Sequence, residues 1–141
     1  MTSDFAVAVH ALVYLNRRKD TVSSEGLASN VCTNPARVRK IMVKLKRADI
    51  VKTKEGLDGG YQFIKEADEV NLKQICEALE AKVVSASWKS GNVEKDCAIA
   101  SGMAGVMDEI YGELDDLCKS ALENISIQDI ETRIFKNKMR K

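Results

Sequence analysis

Residues 34–64 read NPARVRKIMVKLKRADIVKTKEGLDGGYQFI, a basic helical pattern followed by a Gly-rich turn between two short apolar runs. Asn34 is a good helix N-cap, and Pro35 suits the first helical position because its missing N–H has no helical partner. Apolar residues recur at helical spacing as far as about Ala48, so one face is expected to be buried and the opposite face to be basic. Segments 50–53 and 61–64 flank the turn 55–60 and predict a β-hairpin.

The residues before this stretch predict two more helices. Residues 4–18 carry an amphipathic pattern that includes Phe5, Val9 and Leu12, and Ser24 is expected to cap a short helix over 25–30. The order helix, short helix, capped basic helix, hairpin is that of a winged helix-turn-helix. In that architecture the third helix enters the DNA major groove and the hairpin, or wing, contacts the backbone or minor groove. The predicted fold class is mainly α with a small β-hairpin.

The second half predicts a helix with an unpaired apolar seam. Asn71 and Gln74 form a capping-box pattern for a fourth helix to about Ala81, and residues 83–96, which include Trp88, predict a connecting loop. From about Ile99 the apolar residues recur with a period of 3.5, which favours pairing with a second helix. The seam consists of Met103, Met107, Ile110, Leu114, Leu117 and Ala121. It either packs on its own domain or joins two copies, and we favour a homodimer because DNA readers commonly match two half-sites.

These patterns predict three units along the chain. Residues 1–82 form the DNA-binding domain, 83–98 a connecting or sensor loop, and 99–141 the dimerisation helix and a C-terminal helix that Ser126 and Asp129 open with a further capping box.

Charge is strongly segregated, although the 141-residue chain has a net charge of only +1. Residues 34–54 carry +7, residues 66–131 carry −10, and the tail 132–141 carries +5. A solvated helix face is the usual reading of a charge run, but its position on the third helix favours an electrostatic footprint for double-stranded DNA. The basic tail either adds phosphate contacts or is a solubilising end. Its basic residues are Arg133, Lys136, Lys138, Arg140 and Lys141.

Composition disfavours an enzyme, a metal site and a membrane protein. His10 is the single histidine, and the four cysteines are scattered without a C-x-x-C pair. A zinc hydrolase, a Ser-His-Asp enzyme and thiol catalysis at Cys97 all lack the partner groups that they need. No apolar run approaches the roughly 18 residues of a membrane span, and no signal peptide opens the chain. We therefore expect a cytoplasmic protein whose thiols are reduced unless they have a redox role.

The motifs resemble those of the IscR-like (Rrf2) family of bacterial transcription regulators. The matching runs are Leu27–Asn30, Asn34-Pro35, Val38–Ile41, Leu45–Val51 and Gly59-Gly60-Tyr61, and the long helix resembles the family's dimerisation helix. The resemblance implies that early residues of the third helix read bases and that the wing enters the minor groove.

Carried over by position, the resemblance and the basic residues together indicate a set of DNA-binding residues. Arg37 and Arg39 suit bidentate contact with guanine, whereas Lys40, Lys44 and Arg47 suit phosphates. The full set is Asn34, Ala36, Arg37, Arg39, Lys40, Lys44, Arg47, Lys54, Gly59, Gly60 and Tyr61. The wing departs from the family pattern, since it lacks a proline and carries Glu55 where many relatives have arginine, which makes Lys54 its main cationic contact.

A second departure concerns iron–sulfur clusters. Cluster-binding relatives place three cysteines before and into the dimerisation helix, whereas residues 83–117 of this chain contain only Cys97. A cluster needs several thiolates, so we expect no cluster and no other cofactor.

Two cysteines suit a thiol switch. Cys97 stands where the long helix begins, near Lys95, and Cys32 stands in the turn before the basic helix. Helix N-termini and nearby cations favour the reactive thiolate. The hypothesis is a homodimeric repressor that senses oxidants through a Cys32–Cys97 disulfide. The alternative is a winged-helix regulator that binds a small effector near Trp88, or a protein-binding module, with inert cysteines.

Overall fold

In a computed structural model, residues 3–139 form an α-helical molecule with one antiparallel hairpin. The predicted fold class is therefore confirmed, and the tail residues Arg140 and Lys141 lie outside the described residues. The elements are α1 (Ser3–Arg18), α2 (Ser24–Val31), α3 (Pro35–Arg47), β1 (Val51–Lys54), β2 (Gly60–Phe63), α4 (Leu72–Ala78), α5 (Ala98–Leu122) and α6 (Ile127–Met139).

Local capping signals explain most of the helix boundaries. The side chain of Asn34 accepts a hydrogen bond from the backbone N–H of Arg37 at 2.8 Å, as the N-cap prediction required. The capping boxes at Asn71 and Ser126 are both present. The predicted cap of α2 was wrong by one residue, because the hydroxyl of Ser23, not Ser24, accepts from the Gly26 N–H at 3.0 Å. Helix α4 ends at Ala78, three residues before its predicted end.

The wing is anchored to the segment that precedes α2. Strands β1 and β2 pair in the register Val51↔Phe63, each strand one residue from its predicted limits. Tyr61 on β2 also exchanges backbone hydrogen bonds with Val22, at 2.8 and 3.0 Å. A Cβ on Gly60 would lie 2.3 Å from the carbonyl oxygen of Val22, so this crossing requires glycine.

One hydrophobic core joins the first four helices to strand β1. Its fully buried members come from α1, α2, α3, α4 and β1, and include Leu12, Leu27, Ile41, Leu45 and Ile75. Helix α6 returns to this core: Ile127 is completely buried, and Glu131 accepts a buried hydrogen bond from Asn16 of α1 at 2.8 Å. The C-terminal helix therefore packs on α1 and the core, although it follows the long helix in the chain.

Helix α5 is attached mainly at its C-terminal half. The buried carboxylate of Asp115 accepts hydrogen bonds from the backbone N–H groups of Val83 and Val84, at 2.5 and 2.9 Å. Lys119 pairs with the same carboxylate at 3.1 Å. On α4, Lys73 reaches Glu123 near the end of α5 at 3.7 Å. Within residues 3–139, no helix is both long enough and apolar enough to cross a membrane.

Candidate nucleic-acid interface

Helix α3 presents a basic surface opposite its buried face. Val38, Ile41, Met42 and Leu45 are buried, as the helical spacing predicted. The residues that face outward are Ala36, Arg39, Lys40, Val43 and Arg47, with Lys44 half-buried beside them. Because α3 begins with Pro35 and a capped first turn, Ala36 and Arg39 lie toward its N-terminal end, the end that contacts base edges in helix-turn-helix complexes.

Arg37 and Arg39 have different surroundings. The side chain of Arg37 turns toward the N-terminus of α1, where its Nε and Nη2 lie 2.9 and 2.8 Å from Oδ1 of Asp4, and Nη2 also donates to the hydroxyl of Ser3. Arg39 lies beside the start of α2, and its Nη1 donates to the hydroxyl of Ser24 at 3.2 Å. The Glu25 carboxylate lies 3.7 Å from the same nitrogen.

In the wing, the predicted DNA-binding residue Lys54 is an exposed cation, whereas Gly59 and Gly60 determine the backbone conformation. Lys54 is exposed at the end of β1, next to exposed Glu55. A Cβ on Gly59 would lie 2.4 Å from the Lys54 carbonyl oxygen, so Gly59, like Gly60, permits a close backbone crossing. Partial burial raises the pKa of Tyr61, with a smaller opposing effect from Arg39. Tyr61 is half-buried on β2, where its backbone pairs with Val22.

The predicted set of DNA-binding residues omitted a cation that contacts the wing. Lys46 of α3 donates to the hydroxyl of Thr53 in β1 at 3.1 Å, and so links the basic helix to the wing. Asp4 was missed as the partner of Arg37, since their contact joins residues 33 positions apart. Local spacing carries no signal for either contact.

All four cysteines are free thiols, and two of them are exposed. Cys32 terminates α2 in the left-handed conformation, with φ of 68°, while Cys76 is buried and Cys118 is half-buried on α5. Cys97 occupies the N-cap position of α5. Backbone N–H groups of Ala100 and Ile99 lower the pKa of the Cys97 thiol.

Two apolar features lie away from α3. The seam of α5 is uncovered in the single chain: Met103, Ile110, Leu114, Leu117 and Ala121 are exposed, and Met107 is half-buried. A groove of about 570 Å³ lies between α1 and α6. Its apolar walls are Phe5, Val9, Val13, Leu72, Ile130 and Ile134, and its polar rim includes His10, Arg17 and Asn30.

The connecting loop forms a smaller cavity against α5. This cavity, of about 200 Å³, lies between the loop residue Trp88 and the α5 residues Met107 and Tyr111. The ion pair of Lys89 with Asp108, at 3.0 Å, closes one side.

The helical arrangement, the anchored hairpin and the basic outer face of α3 define a winged helix-turn-helix protein. A transcriptional regulator from Lactobacillus plantarum has the same fold, with a TM-score of 0.83 and 23% identity over 95% of this chain and 91% of that one. CymR of Bacillus subtilis, described as its global cysteine regulator, matches with a TM-score of 0.68 and 18% identity over 94% of this chain and 96% of that one.

Sequence comparison then gives the family. The model of the Rrf2 family, described as iron-dependent transcriptional regulators, matches residues 1–133. The Bacillus subtilis HTH-type regulator YwnA is 27% identical over 96% of this chain and 99% of its own length. The chain belongs to the Rrf2 family and is a DNA-binding transcriptional regulator, not an enzyme.

The iron in the family description does not fit the residues of this chain. Among residues 3–139, no three His, Cys, Asp or Glu side chains converge as a metal-binding group. Cys97 is exposed at the start of α5, whereas Cys76 is buried in the core. An iron–sulfur cluster needs several thiolate ligands, and residues 3–139 do not bring several cysteines together.

Proposed function

We propose that this protein is a homodimeric repressor that inserts α3 into the major groove of a specific operator. The basic outward face of α3 carries the proposal, because Arg39, Lys40 and Arg47 are exposed on it, opposite the buried face of the helix. Lys40, Lys44 and Arg47 bind phosphates, and Lys54 extends this contact along the wing. Asn34, Gly59, Gly60 and Tyr61 act on DNA indirectly, since they shape the helix start and the wing.

Quantitative DNA binding tests this function. Operator fragments recovered from a genomic library by the purified protein are expected to bind more tightly than unrelated duplexes, and affinity should fall steeply as salt is raised. A template that carries the operator across its promoter should yield less transcript when protein is added. No DNA binding at low salt would favour the protein-binding module, and increased transcription would contradict repression.

The homodimer is proposed from the uncovered seam of α5. Six residues at coiled-coil spacing, most of them exposed, form a stripe that a second copy would bury. The groove between α1 and α6 is a separate apolar surface, and Arg17 on its rim already pairs with Glu131 of α6 at 3.6 Å.

Sedimentation of two matched variants tests the dimer. Ile110→Asp places a charge in the seam and should convert the dimer to a monomer, whereas Val93→Asp places the same charge on an exposed loop residue and should leave it unchanged. A wild-type protein that sediments as a monomer, or a dimer that survives Ile110→Asp, would refute the seam as the interface.

Redox control is proposed through Cys32 and Cys97. Both thiols are exposed, and the lowered pKa of Cys97 increases its thiolate fraction at neutral pH. A peroxide would oxidise the Cys97 thiolate to a sulfenic acid as its O–O bond breaks and one oxygen leaves as water. The Cys32 thiol would then displace the sulfenic oxygen as a second water and form the S–S bond. This bond would tether the turn before α3 to the start of α5, and so change the spacing of the two DNA-binding domains.

Non-reducing electrophoresis and operator binding after peroxide treatment test this switch. Wild type should shift in mobility and lose affinity, and dithiothreitol should reverse both changes. Cys32→Ser and Cys97→Ser should each abolish the shift, while Cys118→Ser should not. An oxidised wild type with unchanged mobility and affinity would leave the cysteines inert.

The cavity beside Trp88 favours a second candidate, an effector-responsive regulator. Its volume suits a ligand of only a few heavy atoms, with Trp88 and Tyr111 as aromatic walls. Because Trp88 is the single tryptophan, its fluorescence reports binding directly. A metabolite that both quenches this fluorescence and changes operator affinity would support this candidate.

The cellular location is proposed from the function. A regulator that binds DNA must be in the compartment that holds the DNA, and we therefore place this protein in the cytoplasm.

A further inference from the structure

The two arginines near the start of α3 offer different hydrogen-bonding edges to a ligand. In Arg37, Nε donates a hydrogen bond to Asp4 and Nη2 donates one to the hydroxyl of Ser3. Nη2 also lies 2.8 Å from the same Asp4 oxygen as an ion-pair contact, so both nitrogens of the Nε/Nη2 edge contact α1. In Arg39 the contacts with Ser24 and Glu25 involve Nη1 alone, and within residues 3–139 no hydrogen bond occupies its Nε or Nη2.

This difference matters because guanine is read by two parallel N–H bonds. A guanidinium can present either the Nε/Nη2 edge or the Nη1/Nη2 edge to the O6 and N7 acceptors of guanine, and Nη2 belongs to both edges. Arg37 must break its hydrogen bonds with Asp4 and Ser3 before it can use its Nε/Nη2 edge. Arg39 keeps its whole Nε/Nη2 edge available.

Exposure and position agree with the hydrogen bonds. The side chain of Arg39 is 52% exposed on the outward face of α3, whereas that of Arg37 is 32% exposed and turned toward α1. Ala36, one turn before Arg39, adds no bulk that would block approach to the groove.

We propose that Arg39 is the guanine-reading residue of α3, that Ser24 and Glu25 are its positioning residues, and that Arg37 is a strut between α1 and α3. The proposal rests on the proposed insertion of α3 into the major groove. It separates two arginines that the sequence alone treats as equivalent readers.

Ser24 and Glu25 act together in this arrangement. The Ser24 hydroxyl accepts from Arg39 Nη1 and donates to the Glu25 carboxylate at 3.2 Å. This chain restrains the long side chain before DNA arrives, so less rotamer freedom is lost on binding. A carboxylate near phosphate is otherwise repulsive, and the pairing with Arg39 gives Glu25 a function at this surface.

Selection from a pool of random-sequence DNA duplexes, with purified full-length protein at fixed salt, tests the assignment. Wild type should select guanine at one position in each half-site, and replacing that guanine should lower affinity about tenfold or more. Arg39→Ala should lose this preference. Arg37→Ala should keep it, with a lower melting temperature.

Matched variants separate positioning from simple charge effects. Glu25→Gln should weaken the guanine preference, whereas Glu55→Gln removes the same charge from the wing and should change only overall affinity. Asp4→Asn weakens the Arg37 strut without removing the arginine and should preserve the preference, which keeps the test valid if Arg37→Ala does not fold.

Three results would overturn the assignment: a guanine preference that survives Arg39→Ala, one that is lost in folded Arg37→Ala or Asp4→Asn, and a wild type that binds duplex without any guanine preference. A wild-type protein that binds no DNA duplex at all would instead refute the proposed insertion of α3.

Discussion

Gly60 illustrates how one residue type can determine the shape of a DNA-binding element. Its φ of 156° and the 2.3 Å separation between a built Cβ and the Val22 carbonyl leave no room for a side chain. The Gly-rich turn was predictable from the sequence, but the steric requirement for glycine at position 60 was not. It arises because the segment before α2 crosses β2 at this residue.

Gly60→Ala should therefore lower the free energy of unfolding by a few kcal/mol, of which backbone strain alone accounts for about 1–3 kcal/mol. The same substitution should weaken DNA binding, because it displaces the wing. Thermal denaturation and operator titration measure the two effects. Gly102→Ala is the control, since nothing lies within 4 Å of its built Cβ in α5. It should raise stability by about 1 kcal/mol through helix propensity. Equal behaviour of the two variants would contradict the steric argument.

Helix α6 shows how an element can belong to a domain that its chain position does not indicate. Its capping box was evident in the sequence, yet its partner surface was not. The buried Ile127 and the Asn16–Glu131 hydrogen bond attach it to α1, more than 100 residues earlier.

Ile127→Ala should lower the free energy of unfolding by about 2–5 kcal/mol, because it leaves a cavity in the core. Met139→Ala, near the exposed end of the same helix, should change it by less than about 0.5 kcal/mol. Urea denaturation gives both values. A small effect of Ile127→Ala would mean that α6 separates readily from the domain.

Asp115 connects the end of the DNA-binding domain to α5. Burial by itself would raise the pKa of Asp115, but hydrogen bonds from Val84, Lys119 and Val83 outweigh that effect, and the pKa is lowered. The unfolded chain then binds a proton at Asp115 at higher pH than the folded chain does. This contribution to stability is present above the ordinary aspartate pKa of about 4 and is lost as pH falls through the lowered folded value.

Asp115→Asn should accordingly be less stable than wild type at pH 7, by about 1–3 kcal/mol for the lost charge-assisted bonds. The difference should shrink as pH falls from about 5 toward 2, because the wild-type carboxylate becomes protonated. Denaturant titrations at several pH values measure this convergence. Asp116→Asn, at an exposed neighbouring residue, should change stability at pH 7 by less than about 0.5 kcal/mol.

Across the entire chain, the near-zero net charge conceals two regions of opposite charge. The +7 of residues 34–54 is concentrated on α3 and β1, while α5 carries five acidic residues and one lysine. DNA attraction therefore depends on local charge, since the total is only +1.

Lys40→Ala should lower affinity for all duplexes by a similar factor and reduce the slope of log affinity against log salt by about 1. Lys73→Ala is the matched control, since Lys73 pairs with Glu77 and Glu123 on α4 and α5. Its slope should equal that of wild type. Titrations at four salt concentrations distinguish the two, and an unchanged slope for Lys40→Ala would exclude that residue as a phosphate contact.

Helix caps, helical spacing, the Gly-rich turn and the charge block are local signals, and for that reason residues 34–64 alone specify a capped basic helix followed by a wing. The same stretch cannot distinguish Arg37 from Arg39, because their partners Asp4 and Ser24 come from α1 and α2. Nor does local pattern explain the return of α6 to the core or the attachment of α5 through Asp115. Those features depend on contacts between residues far apart in the chain, and such contacts exist only once the hydrophobic core has brought the helices together.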